Sequence, residues 1–235
     1  MPPNIQYATL AKLPVQQPVD RVSYISSLCK EKSVLDIGCF DETSLAKRDT
    51  EHWLHGRICQ QARKVVGVDS SSLIPSEGIR TGQNAIIFRG DGVDIDREIQ
   101  KIENFDVIVA GEFIEHIESP SRFFKNVKQY FPGRVLIIST PNGACFANTL
   151  LGSIGREVQH PDHLHNFSFK ILNTLCERAG FSDWEIVPYR FYATEMILQS
   201  KGVRRVFVIF VERCIRVVER LFPLLSFGYI VRATL

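Results

Sequence analysis

Between Ser33 and Ser139 the chain runs through five short apolar segments, each ending on, or followed at once by, a glycine, an aspartate or a serine. They are Ser33–Ile37 (SVLDI), 65–69 (VVGVD), Ala85–Arg89 (AIIFR), 105–110 (FDVIVA) and 134–139 (RVLIIS). The second, fourth and fifth are almost unbroken apolar runs, the pattern of central parallel strands covered on both faces. Helical periodicity falls around and between them, at 19–29, at 44–62 with Asp49 and Thr50 as a possible interruption, at Pro120–Tyr130 and at 168–179. Two further strands are expected at 183–191 and 227–233. Strands alternating with helices predict an α/β fold, a doubly wound open sheet with right-handed crossovers. Such sheets bind ligands outside the carboxyl ends of their strands. The ends to inspect are 36–38, 69–70, 90–91, 111–112 and 140–142.

Residues 1–18 carry four prolines and little periodicity and read as an extended arm, with 19–235 as a single domain. Residues 194–225 form a helical insertion between the last two strands. Val203, Phe207, Phe210, Cys214, Val217, Val218 and Leu221 fall on one helical stripe, with Arg204, Arg205, Arg213, Arg216 and Arg220 off it. Val208, Ile209 and Ile215 widen the apolar surface. Two readings stand. The stripe packs on the domain or on a second subunit as a homodimer contact, or the 203–222 helix rests as a basic amphipathic helix on a membrane.

Composition narrows the classes. Charged residues make up 23% of 235, and the net charge of +2 implies no global attraction to nucleic acid, which is not expected as a partner. Six cysteines, none in a C-x-x-C pair, fit a reducing compartment better than a disulfide scaffold. The N-terminal residues lack the pattern of a signal peptide, and no unbroken apolar stretch reaches membrane-spanning length. A cytoplasmic location is expected, with peripheral membrane contact as an extension of the second reading above.

Chemistry gathers at the strand ends. Gly38 lets backbone approach a ligand, and Asp36 places a carboxylate under the same turn. Asp69 can accept both hydroxyls of a ribose, and Asp91 in Gly90-Asp91-Gly92 suits an adenine amino group. Any one of these alone is more often a plain turn, but acidic residues at three strand ends together point to a nucleoside. After the fourth strand stands Glu112-Phe113-Ile114-Glu115-His116, and downstream come His160, His163 and His165 in one polar loop. Two carboxylates and an imidazole can bind a divalent cation or position a proton acceptor. The loop can fold back over the strand ends and bring its histidines into one pocket with Glu112 and Glu115. Alternatively, Glu115 or His116 caps a helix or lines the pocket.

VLDIGC, VVGVD, RGDG, FDVIVAGEFIEHI and LIISTPN resemble, in order and spacing, the successive motifs of class I S-adenosylmethionine (SAM)-dependent methyltransferases, over residues 33–181. The resemblance implies a Rossmann-like seven-stranded sheet with an antiparallel last strand. It further implies that Asp36 and Gly38 face the methionine part of SAM, that Asp69 holds the ribose and Asp91 the adenine, and that Gly111 lies beside the cofactor, with Cys39, Ser70 and Gly92 also among the cofactor-binding residues. Phe40 and Glu42 stand where the family has glycines. Phe40 suits a positive-φ position poorly, so either the loop takes another path or cofactor affinity is weakened.

The Glu-x-x-Glu-His segment is similar to that of ubiquinone-biosynthesis O-methyltransferases and of small-RNA 3′-terminal methyltransferases. That likeness implies Glu112, Glu115, His116 and His163 as ligands of magnesium or manganese. His116, His163 and His165 are the candidate catalytic bases. The expected activity is O-methylation of a small-molecule, sugar or lipid-linked acceptor. The alternatives are a metal-dependent RNA 2′-O-methyltransferase and a non-catalytic binding protein of the same fold.

Overall fold

A computed structural model of the chain describes residues 12–40, 44, 50, 52–95, 97–157 and 159–235. Expectations placed on residues 1–11, on Glu42 and on 45–49 lie outside the described residues. The elements in order are α1 (Arg21–Leu28), β1 (Ser33–Ile37), α2 (Leu54–Gln61), β2 (Lys64–Asp69), β3 (Ile79–Gly82), β4 (Ala85–Arg89) and α3 (Arg97–Ile102). Then follow β5 (Val107–Gly111), α4 (Pro120–Tyr130), β6 (Val135–Pro141), α5 (Phe146–Gly152), α6 (Phe169–Ala179) and β7 (Asp183–Tyr189). Last come α7 (Thr194–Gln199), α8 (Gly202–Leu221), a short 3-10 turn and β8 (Gly228–Thr234).

The strands form one sheet in the order β3-β4-β2-β1-β5-β6-β8-β7. β4, β2, β1, β5 and β6 are parallel, and β8 runs antiparallel between β6 and β7. Period-two alternation splits the strand residues between two cores. Leu35, Ile37, Ile108 and Leu136 pack with Phe123, Phe124 and Leu172 of α4 and α6, while Val34, Val109 and Ile137 pack with Ile25 and Ile58 of α1 and α2. Both faces are therefore covered, which explains why these strands read as continuous apolar runs.

Local signals set the helix ends. Ser119 caps α4 by accepting the Arg122 N–H, with Pro120 in the first turn. Ser168 caps α6 at Ile171 N–H, and Gly180 ends it in the left-handed conformation at φ +69°.

Three expectations are corrected. The sheet has eight strands rather than seven. The extra edge strand β3 is only four residues (IRTG), with its register shifted between Arg80 and Gly82, too short and polar for an alternating signal. Second, in the stretch read as helical over 44–62 with a break at Asp49 and Thr50, the described residues are helical at Ser44 and at Leu54–Gln61, and the break runs on to Trp53, which is extended (ψ 111°) and starts the second helix. Third, the apolar stripe of α8 does not pack on the domain. The helix docks through its polar face, burying Glu212 and Glu219 with Val208, and leaves Phe207, Phe210, Val217 and Leu221 exposed.

β8 comes so close to β7 that a Cβ on Gly228 would sit 2.3 Å from the Tyr189 ring. Tyr189 is fully buried and cannot simply swing aside. Gly228→Ala is expected to lower the Tm by roughly 2–10 °C through overpacking, read by calorimetry. An unchanged Tm would show that the Tyr189 ring is free to move.

Candidate active site

The carboxyl ends of β4, β2, β1, β5 and β6 open side by side. After β1, Gly38 takes φ +66° and its N–H donates to the Val68 carbonyl at 2.8 Å. The Phe40 N–H then donates to Asp69 Oδ2 at 2.9 Å, and the Ser71 N–H to Asp69 Oδ1 at 2.9 Å. Phe40 is not in the left-handed region. Its ring is buried with Trp53, Ile74 and Ile87 in a small separate core. Among the described residues of this loop, Phe40 serves as an apolar anchor.

Asp36 is turned beneath this loop. It is 2% exposed and its Oδ2 lies 2.8 Å from His55 Nδ1, whose Nε2 meets Thr81 Oγ1 at 2.8 Å. Burial opposes a charge on His55, but its contacts with Cys39 and Asp36 outweigh that and hold its pKa well above the ordinary histidine value. Burial pushes the Cys39 thiol up to about 12. Asp91 is exposed, with Oδ1 accepting the Val93 and Asp94 N–H groups, and Ser70 is exposed. The Phe113 ring lies over both Gly38 and Gly92, where added Cβ atoms would sit 2.6 and 2.7 Å from it.

The Glu-x-x-Glu-His segment is an irregular turn rather than a helix, with Glu112 at φ +52°. The Glu112 carboxylate accepts from Tyr189 Oη at 2.9 Å and Tyr192 Oη at 2.7 Å, and pairs with Arg21 Nη2 at 3.5 Å. Arg21 also donates to Ser139 Oγ at 3.1 Å and lies beside Gly111. Burial, and then the Glu112 charge, hold the Tyr189 and Tyr192 hydroxyls well above their usual pKa. Glu115 is buried, and neither carboxyl oxygen has a hydrogen-bond partner among the described residues. Burial, and then the charge of Glu112, push it up to about 8, against the opposing pull of Thr140 and Arg21.

The loop after β6 folds back onto this turn. Leu164 and His165 N–H groups both donate to the Glu115 carbonyl, at 2.8 and 3.2 Å. His116 and His163 meet edge to face with ring centres 4.6 Å apart, and His160 completes a trio whose candidate ligand nitrogens lie within 4.8 Å of one another. Burial, and then the neighbouring imidazoles, lower the pKa of His116 and His163, while the Glu112 charge acts on both in the opposite sense. His165 stands apart from the trio, its Nε2 within 3.0 Å of the Ile117 carbonyl as a tether between loop and turn.

A methyltransferase-domain family model matches residues 10–186. The chain belongs to this methyltransferase family. Ubiquinone biosynthesis O-methyltransferases of Coxiella burnetii are 33% identical to it over 129 residues, 52% of this chain and 50% of theirs. The chain thus matches these curated relatives over about half of their length. A SAM-dependent methyltransferase from Thermotoga maritima, described as a possible histamine N-methyltransferase, superposes with a TM-score of 0.56 at 17% identity, covering 91% of this chain and 86% of that one. The small RNA methyltransferase HEN1 does so at 0.56 and 16%, covering 95% of this chain and 27% of that one. At such identities the structures attest the fold.

The methyltransferase's strand-end loops fit SAM. Asp69 stands at the carboxyl end of β2 with one backbone N–H on each carboxylate oxygen, from Phe40 and from Ser71, which fixes its carboxylate at the strand end. The half-buried Phe113 ring packs between the first and third loops, against both Gly38 and Gly92. Asp36 and Cys39 are exceptions among the expected cofactor residues, because both turn inward to His55, which takes the Asp36 carboxylate. Sequence reasoning did not single out Arg21, His55, Phe113, His160, Tyr189 or Tyr192 for roles here. His160 was within reach as a third histidine of the same loop. The others belong to elements whose approach to the site depends on tertiary packing.

Glu115 supplies a pH test with a definite sign. Its folded-state pKa, about 8, is above the ordinary 4.5, so its contribution to stability is complete below about pH 4.5 and is lost as pH rises through 8. Glu115→Gln should therefore gain in Tm relative to the wild type as pH rises from about 5 to about 9. Melting curves with a pH-independent gap would show that Glu115 is solvated or paired.

Proposed function

We propose that the protein transfers a methyl group from SAM to a hydroxyl of a small-molecule, sugar or lipid-linked acceptor. What supports this reading is that one short turn touches both sets of residues: Phe113 packs on the Gly38 and Gly92 turns, and His116, three residues on, meets His163 of the loop after β6. The Gly38–Asp69 loop suits a nucleoside. Bound there, SAM supplies an electrophilic methyl group on a sulfonium. Asp69 would hold the ribose, Asp91 the adenine amino group, and the Gly38 turn would face the methionine portion. His163 or His116 would take the proton of the acceptor hydroxyl, and Arg21, Tyr189 and Tyr192 fix Glu112 behind them. The likeness to O-methyltransferases over half the chain supports oxygen as the acceptor atom.

A second reading has its own observation. The trio His116, His160 and His163 can hold a cation through nitrogen, which suits zinc or manganese better than magnesium, a metal that prefers oxygen ligands. Glu112 is already engaged by Tyr189, Tyr192 and Arg21, so a cation would be held chiefly by imidazoles.

Calorimetric titration with SAM and S-adenosylhomocysteine tests the cofactor. Binding of neither would overturn the proposal. Asp69→Ala is expected to weaken SAM by at least about tenfold for each ribose hydrogen bond lost, and to lower the Tm by freeing the Phe40 and Ser71 N–H groups. His163→Ala should cut kcat about 100-fold with SAM affinity unchanged. Activity that survives a chelator favours the histidine base, and activity that is lost and then restored by manganese or zinc favours the metal reading.

A further inference from the structure

The helix α8 is mounted with its amphipathic faces reversed. Its polar face points inward. Glu212 Oε1 accepts the Ala193 N–H at 2.9 Å, Glu219 accepts the Phe191 N–H through both oxygens at 3.1 and 2.8 Å, and Arg216 Nε donates to the Phe191 carbonyl at 2.9 Å. The apolar stripe points outward, with Val203 87%, Phe207 64%, Phe210 62% and Leu221 69% exposed. From Val203 to Leu221 the stripe is about 27 Å long at 1.5 Å per residue. Phe222 extends it, and Leu150 and Ile154, exposed beside α5, which packs on α8, broaden it. A patch of this kind on a folded domain marks an interaction surface.

We infer that α8 lies on an anionic lipid surface. The charges on the page select this occupant. Both glutamates of α8 are buried, so the helix exposes no carboxylate. Its exposed charges are all arginine: Arg204, Arg205, Arg213 and Arg220. By the 100° step of a helix, Arg213 and Arg220 run along one edge of the stripe and Arg204 lies at the other. A second copy docked on this face would set one arginine rim against another without acidic partners. A bilayer with phosphate headgroups supplies both an apolar interior for the phenylalanines and negative charge for the rim. No helix of the described residues is long and apolar enough to cross a membrane, so the contact is interfacial. The inference concerns binding alone and stands whether or not methyl transfer is confirmed.

The test uses the purified chain, labelled at Cys214, the exposed cysteine on the stripe, with an environment-sensitive fluorophore. It is mixed with vesicles of phosphatidylcholine alone or with phosphatidylglycerol added. Flotation with the phosphatidylglycerol vesicles, a blue shift of the label and weakening by salt are expected. Arg213→Gln with Arg220→Gln should lower partitioning roughly 25-fold, about fivefold per arginine. Phe207→Ser with Phe210→Ser should lower it more than about tenfold, with an unchanged melting curve because both side chains are already exposed. The inference is overturned if the wild type stays off both kinds of vesicle. It is also overturned if the phenylalanine pair makes no difference to binding, or if sedimentation shows a dimer that the phenylalanine pair dissolves while vesicles are not bound.

Discussion

Glu112 sits at positive φ immediately after β5, and its carboxylate ties together side chains from parts of the chain that a backbone bridge between Val19 and Tyr189 already brings side by side. Arg21 comes from the first helix, Tyr189 from the end of β7, and Tyr192 from the segment that leads into the insertion. Buried tyrosine hydroxyls and a buried guanidinium would each be costly alone. Around one carboxylate they satisfy one another, and the Arg21 cation also lies 5.9 and 5.6 Å from the two tyrosine ring centres. Glu115 is left as the odd member. With the local negative charge already committed to Glu112, its own ionisation is disfavoured.

The same logic of a carboxylate spent on structure recurs beneath the first strand-end loop. Asp36 and His55 form a pair with almost no exposure, continued to Thr81 on the edge strand. Phe40, Trp53, Ile74 and Ile87 pack beside it. The loop is held by a buried core and an ion pair in place of the glycines that would let it hug a ligand. Its remaining ligand-facing features are the Gly38 turn and the Asp69 carboxylate.

Much of the fold was legible in the chain because its strands are buried on both faces and its helices carry local stop and start signals. Pro120–Tyr130 and Ala85–Arg89 were read to the residue for those reasons. β3 was not, because four residues containing Arg, Thr and Gly carry no alternation. In the site, the strand-end positions of Asp69, Asp91 and Glu112 followed from periodicity alone. The partners of Glu112 did not, since Arg21 lies 91 positions away and Tyr192 lies 80 away. The stripe on α8 was readable as a stripe. Its direction was not, because a helical wheel says which residues share a face and nothing about which face has a neighbour.

The placement of β8 has a consequence for the order in which the molecule assembles. β7 reaches the sheet only through β8, which is made later and must thread between β6 and β7. Tyr189, at the end of β7, therefore takes its place in the sheet beside Glu112 only when β8 has closed on β6, the strand pairing of longest sequence separation, and on β7. The Tyr189–Glu112 contact is thus among the last to form in folding, and in local opening it would be among the first to part. A half-made chain would carry the finished turn between Gly38 and Asp69 and an unfinished Glu112 cluster, so the two halves of the strand-end region would mature at different times.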